Sequence, residues 1–199
     1  MVTIRWTWKR CAVQGYFVIA AFLLLIVCVL VRVRLLKSLG IDAFRFGKMD
    51  KKDFIIPPFA LVFLYLLIAN VWNLPHFDGL LFWNGILAWV GVVSCFLGLA
   101  LFVWALVSFG KSFRVGIDED SPGSLVTSGA FALSRNPIYV AFFFVLLGIL
   151  LVYPTVVFLI YLLLATFLFT RQIKLEENSL RKIYGAAFDD YCKKVRRFL

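Results

Sequence analysis

The sequence is poor in the groups from which soluble enzymes build metal and acid–base sites: of 199 residues only 11 are acidic, one is histidine and four are cysteine. A single histidine, His76, excludes a histidine-rich metal centre of the kind that membrane hydroxylases and desaturases require, and it reads as an ordinary polar loop residue. Cys11, Cys28, Cys95 and Cys192 form no CxxC pair and no regular spacing, so neither a disulfide framework nor a zinc site is expected. Charge is also scarce, at 16% of residues, whereas 63% are hydrophobic, more than a water-facing domain of this length can bury. The surplus must face lipid. The 21 basic residues give a net charge of +10; beside long apolar runs they mark the membrane side facing an anionic leaflet rather than a nucleic-acid surface.

A helix crossing about 30 Å of hydrocarbon needs roughly 20 apolar residues, and several stretches meet or approach that length. The pattern predicts span one near 14–31, span two near 54–72 and span three near 80–108. The first run follows Arg5, Lys9 and Arg10 as a signal peptide would, but Arg32, Val33 and Arg34 follow it in place of a small-residue cleavage site, so a retained helix is expected. A short turn over 73–79 links spans two and three as an antiparallel pair. Pro57 and Pro58 fall in the first turns of span two, where missing donors cost least. Gly91, Cys95 and Gly98 recur in span three at near-helical spacing and permit close approach of a neighbouring helix.

From Pro137 to about Thr170 runs a further apolar stretch, interrupted at Tyr153-Pro154. Proline removes a backbone donor and clashes with the preceding turn, so the stretch either kinks or divides. Two short helices in a hairpin are favoured, because they return Arg135 and Glu176 to one side of the membrane. The expected architecture is an all-α polytopic membrane protein of five transmembrane helices, the last two a short hairpin, with a cytoplasmic amphipathic helix at the carboxyl end. It forms a single membrane domain over 1–199, with three spans in 1–108 and a loop, hairpin and tail in 109–199. The basic segment 32–53, the loop 109–136 and the carboxyl terminus are placed in the cytoplasm and the amino terminus on the opposite side. Leu180, Tyr184, Phe188, Tyr191, Val195 and Phe198 fall on one face of the tail, the pattern of a helix resting on a leaflet or on the membrane domain.

Polar groups concentrate in 110–139 and 171–197. In the first segment, Pro137 fixes the entry of a helix whose mouth carries Arg135 and Asn136, and the free backbone donors of such a terminus suit an anionic group. In the second, Arg171, Lys174, Glu176 and Glu177 follow directly on an apolar helix; such boundary charges are most often interfacial markers, and a buried acid among them needs a partner.

Gly129 with Ser134-Arg135-Asn136-Pro137-Ile138-Tyr139, followed after the divided apolar run by Glu176-Glu177, Leu180, Tyr184-Gly185, Phe188, Tyr191, Val195 and Arg196, resembles the isoprenylcysteine carboxyl methyltransferase and phospholipid methyltransferase group. Ser108 to Gly116 also looks like the segment preceding that loop in bacterial members. The resemblance covers roughly 104–198. It implies S-adenosylmethionine as cofactor, in a cytoplasm-facing pocket lined by Gly129, Arg135, Asn136, Pro137, Tyr139, Glu176, Glu177 and Tyr191, and a lipidic or prenylated acceptor entering from the bilayer. Asn136 stands where the eukaryotic prenylcysteine enzymes carry histidine, and it can hydrogen-bond but cannot act as a base. Tyr184 replaces the phenylalanine before Gly185, Phe131 a frequent tyrosine, and the proline often found after the last arginine is absent.

Methyl transfer from a sulfonium to a carboxylate needs alignment and exclusion of water more than acid–base groups, which suits a site with few titratable residues. Arg171, Glu176 and Arg196 are the candidates to act on the acceptor, the arginines by fixing its carboxylate or phosphate. Carboxyl O-methylation of a prenylated cysteine is the leading expectation. N- or O-methylation of a phospholipid or small apolar molecule, a nicotinamide-dependent membrane reductase, and a non-enzymatic transport or scaffold protein are the alternatives. Transport is disfavoured because the first three spans carry almost no ionisable groups, Asn84 being the main internal polar residue, and no inverted repeat is evident. The oligomeric state is not set by the sequence.

Overall fold

The computed structural model describes residues 12–38, 56–72, 74–75, 79–82, 84–110 and 123–199. Cys11, His76, Asp78, the basic residues between 39 and 55 and the stretch 111–122 lie outside them, and with them parts of the expected cytoplasmic segments.

The described elements are helical. Helix α1 spans Ala12–Ser38, α2 Ile56–Trp72 and α3 Gly85–Phe109; α4 spans Pro137–Val152, α5 Val156–Tyr184 and α6 Ala186–Lys194, with a short 3-10 turn at Gly129–Ala132 before α4. Three of them, α1, α3 and α5, are long and apolar enough to cross a membrane, and α2 and α4 are shorter apolar helices.

Helix α1 outruns the expected 14–31 by two turns and carries Arg32, Arg34 and Lys37 within it. Straight-chain residues are good helix formers, and cations near a helix carboxyl end oppose its partial negative charge. Helix α3 begins later than the expected position 80, because Asn84 is extended and caps it. Its Oδ1 accepts from the Ile86 and Leu87 amides at 2.9 and 3.2 Å. Asn84 is therefore the amino-terminal cap of α3 and not a polar group inside a span, a correction to the sequence reading.

Tyr153-Pro154 does separate two helices. Thr155 caps α5 by accepting from the Phe158 amide. The turn is tied to the approach to α3: Leu81 N donates to Pro154 O and Val156 N to Gly79 O, each at 2.8 Å. The second hairpin helix is longer than the apolar run. The stretch after Thr170 is rich in Arg, Gln, Lys, Leu and Glu, which continue a helix readily, so α5 carries Glu176 and Glu177 on the same rigid rod as its membrane-spanning part. The tail is not one amphipathic helix: Gly185, at φ 53°, ends α5 and starts α6, and the chain leaves the helix at Val195, which is extended.

Helices α3 and α4 form the most intimate pair. Ala88, Gly91, Cys95, Gly98, Phe102 and Ala105 make one buried stripe on α3. A Cβ on Gly91 would lie 2.5 Å from the Gly148 carbonyl oxygen, and one on Gly148 2.5 Å from the Cys95 sulfur, so the backbones meet where only glycine fits. Ser94 donates to Phe144 O across the seam at 2.8 Å. The expected direct pairing of the second and third spans does not occur along their length. Instead α1 packs on α2, α3 and α4, and α2 reaches α5 through Phe63, whose ring lies 5.5 Å from Phe158 and 5.1 Å from Tyr161.

Candidate functional site

The start of α4, the polar end of α5 and the extended tail meet in one polar cluster. The hairpin makes this possible by returning the chain after Pro154, so that residues some forty positions apart become neighbours.

Glu177 is its centre and is only 6% exposed. Its Oε1 lies 3.2 Å from Arg135 and accepts from Asn136 Nδ2 at 3.4 Å. Its Oε2 accepts from Arg197 through Nε at 3.1 Å and NH2 at 2.7 Å. A buried carboxylate is tolerable only with such pairing, and two guanidinium groups around one carboxylate leave the cluster with a surplus positive charge. The bond to Glu177 holds the Arg197 guanidinium further above its ordinary pKa.

The tail backbone completes the cluster. Arg135 N donates to Arg196 O at 3.0 Å, Ser134 Oγ to Arg197 O at 3.3 Å, Asn136 Nδ2 to Arg197 O at 3.1 Å and Arg135 NH1 to Cys192 O at 3.4 Å. Asn136 occupies the cap position of α4 without capping it with its side chain, which is directed to Glu177 and the tail instead. Pro137 supplies the first helical residue, where the missing amide costs nothing, and is fully buried.

Beside this hub lies a second carboxylate. Glu176, half-buried, accepts from the Tyr139 hydroxyl at 2.6 Å and from Gln172 Nε2 at 3.3 Å. The Tyr139 ring packs 5.4 Å from Phe169, which in turn lies 5.8 Å from Phe142, so an aromatic wall runs from Glu176 toward the apolar part of the hairpin.

The turn that leads into α4 is held from two sides. Gly129, at φ 63°, sits where a Cβ would fall 2.3 Å from Ser108 Oγ, and the next amide, Ala130 N, donates to that same oxygen at 3.0 Å. Tyr191, buried on α6, donates to Phe131 O at 2.6 Å. Burial pushes the Tyr191 phenol up to about 12, opposed by the nearby Arg135.

Of the residues singled out from the sequence, Arg135, Asn136, Pro137, Tyr139, Glu176 and Glu177 lie together, while Gly129 and Tyr191 shape the turn beside them. Arg171 is exposed, and among the described residues no hydrogen bond or ion pair joins its side chain to the cluster. Arg196 is exposed too and takes part through its backbone carbonyl; the neighbouring Arg197 is the one that grips Glu177. Arg197, Ser134, Ser108 and Gln172 were not among the expected site residues. Ser134 and Gln172 could have been found from spacing, two residues before Asn136 and four before Glu176; Arg197 could not, because the chain is not helical there. A cleft of about 480 Å³, lined by Gln14, Asn84, Gly85, Ile86 and Trp89, lies at the opposite end of α3.

An arginine–asparagine–proline–tyrosine helix start, paired glutamates on the returning helix and a closing tail thus meet in an integral membrane protein with three helices long and apolar enough to cross a bilayer. The family model described as phospholipid methyltransferase matches residues 86–187, and the chain belongs to that family. A protein-S-isoprenylcysteine O-methyltransferase of Tribolium castaneum is 32% identical over 110 residues, which make up 53% of this chain and 39% of that protein. A probable protein-S-isoprenylcysteine O-methyltransferase of Oryza sativa subsp. indica is 30% identical over 112 residues, 54% of this chain and 58% of the rice protein. The chain therefore spans about half the length of the curated relatives it matches. Its fold is similar to the solved structure of a eukaryotic intramembrane Ras methyltransferase, isoprenylcysteine carboxyl methyltransferase, with a TM-score of 0.57, 21% identity, and coverage of 82% of this chain and 58% of that one.

Proposed function

We propose that the protein is an S-adenosylmethionine-dependent methyltransferase acting on a membrane-embedded, lipidic acceptor, with carboxyl O-methylation of an isoprenylated cysteine as its best-supported reaction. The observation that carries this reading is the convergence of Arg135, Asn136 and Tyr139 on Glu177 and Glu176 at the mouth of an apolar hairpin. The names of the relatives support the same acceptor class.

The residues present fit such a cofactor. Arg135 and Arg197 exceed Glu177 by one positive charge, which suits a carboxylate, while Glu176, poised between Tyr139 and Gln172, offers an acceptor for an ammonium or ribose hydroxyl. When bound, S-adenosylmethionine supplies a methyl group on a sulfonium, and an already ionised carboxylate takes it by displacement without a base. The chain's part is then to orient and to exclude water. Tyr139 and Gln172 fix the Glu176 rotamer, the tail carbonyls fix the Arg135–Pro137 turn, and Phe142 and Phe169 give an apolar acceptor a wall to lie against. The cluster, with the carboxyl terminus, faces the cytoplasm in this reading.

Methylation of a lipid amine is the second reading, favoured by the family description and by Glu176, which is placed to accept an amine proton. Transfer of a radiolabelled methyl group from S-adenosylmethionine separates the two. Label on a farnesylcysteine acceptor that is released as methanol by base supports carboxyl methylation; base-stable label on phosphatidylethanolamine supports the amine, and label on neither contradicts the reading.

A further inference from the structure

The carboxyl end of α3 is held from two sides, by the turn before α4 and by α1. On one side Ala130 N donates to Ser108 Oγ, and the Phe131 ring meets Phe109 edge-on at 4.8 Å. On the other, an arginine from α1 reaches the same helix end: Arg32 NH2 donates to the Gly110 carbonyl. Arg32 differs in this from the other cations on its helix. Arg34 and Lys37 are exposed, whereas Arg32 is half-buried. Its place is set by packing, since Leu25 and Leu36 of α1 are buried in the same apolar cluster as Phe102 and Leu106 of α3. A guanidinium at a helix carboxyl end neutralises the partial negative charge of unpaired carbonyls and can hold one of them in a fixed direction.

We propose that Arg32 is a positioning residue for the candidate cofactor site, acting through the end of α3. By holding Gly110 it fixes the last turn of α3, and with it Ser108, on which Gly129 and Ala130 seat. Phe131 then takes its bond from Tyr191 at the right place, and Arg135 enters the cluster in register. The amino-terminal half is thereby a part of the site's geometry as well as an anchor. The inference rests on the methyltransferase reading for its consequence, though not for its structural core.

Two measurements on the full-length, detergent-purified chain test it: S-adenosylmethionine binding by calorimetry and hydrogen exchange at the Gly129–Phe131 amides without ligand. Arg32→Ala is expected to weaken binding about tenfold and to speed exchange at Ala130, with Arg32→Lys within about twofold of the unmodified chain. Arg34→Ala removes the same charge without the contact, and Leu67→Ala removes a fully buried side chain of α2 that takes no part in placing Arg32; both are expected to leave binding and Ala130 exchange unchanged, the second lowering thermal stability. Unaltered Ala130 exchange in Arg32→Ala, or equal weakening in all three alanine variants, overturns the inference. Failure of the unmodified chain to bind overturns the cofactor reading, and the exchange measurement then still decides whether Arg32 holds the turn.

Discussion

Helix α4 is held along its length and at its first turn by different physics. Through Ala141, Gly148 and Ile149 it presses into the glycine-lined seam of α3, where contact is made mainly by dispersion and close backbone approach, with a directed bond from Ser94 to Phe144 O. At its first turn it is held by directed bonds to residues of α5 and the tail, around a carboxylate that could not be buried alone. The seam tolerates any change that keeps its volume; the cluster tolerates none that leaves a charge unmatched. A rigid rod gripped along its apolar length can present polar groups at its start with little freedom, which is what an aligned displacement requires.

The largest expected effect is at the cluster. Glu177→Ala leaves Arg135 and Arg197 facing each other without a counter-charge, and breaking a buried pair costs about 3–5 kcal/mol. Cofactor binding should fall by more than about a hundredfold and thermal unfolding should start at lower temperature. A milder loss in binding than in stability would place Glu177 in the scaffold alone. Next comes the seam: Gly91→Leu drives a side chain into the Gly148 carbonyl, with an expected loss of about 2–3 kcal/mol in stability and no change in cofactor affinity for the protein that remains folded. A change in affinity there would show that the seam and the first turn of α4 are not independent. Smaller again is Tyr139→Phe, which removes one hydrogen bond to Glu176, worth about 0.5–1.5 kcal/mol, and should raise the Michaelis constant for cofactor or acceptor about three- to tenfold with little effect on stability.

The last effect is confined to alkali. The folded Tyr191 phenol lies at about 12 against an ordinary 10.0, raised chiefly by burial. A raised folded pKa favours the protonated form, so its contribution to stability is whole below the ordinary value and is lost as pH rises through the folded one. Stability of the turn before α4, followed by proteolysis or exchange, should decline between pH about 10 and about 12, and Tyr191→Phe should flatten that decline.

The sequence reveals the apolar end of this comparison better than the polar end. Helix seams obey a periodicity, so Gly91, Cys95 and Gly98 announce a close neighbour without naming it as α4. The break at Tyr153-Pro154 is legible because proline cannot continue a helix, and from that break alone Arg135 and the paired glutamates can be brought to one side. Roles that tertiary contact assigns are not legible in the same way. Glu177 and Glu176 are adjacent and alike in sequence, yet one is the hub and the other stands at the aromatic wall, a division made by the turn of about a hundred degrees between successive helix positions. Arg196 and Arg197 are likewise indistinguishable until the extended tail turns one outward and the other to Glu177. Asn84 reads as a polar group within a span until the helix is seen to begin after it.

Calorimetric titration of S-adenosylmethionine into the detergent-purified chain, with Arg135→Ala and Glu177→Gln beside it, bears most directly on the central claim. Saturable binding in the unmodified chain that both substitutions weaken by at least about tenfold is the predicted result. No binding in folded protein, or binding indifferent to both substitutions, would contradict the assignment of the α4–α5–tail cluster as a cofactor site.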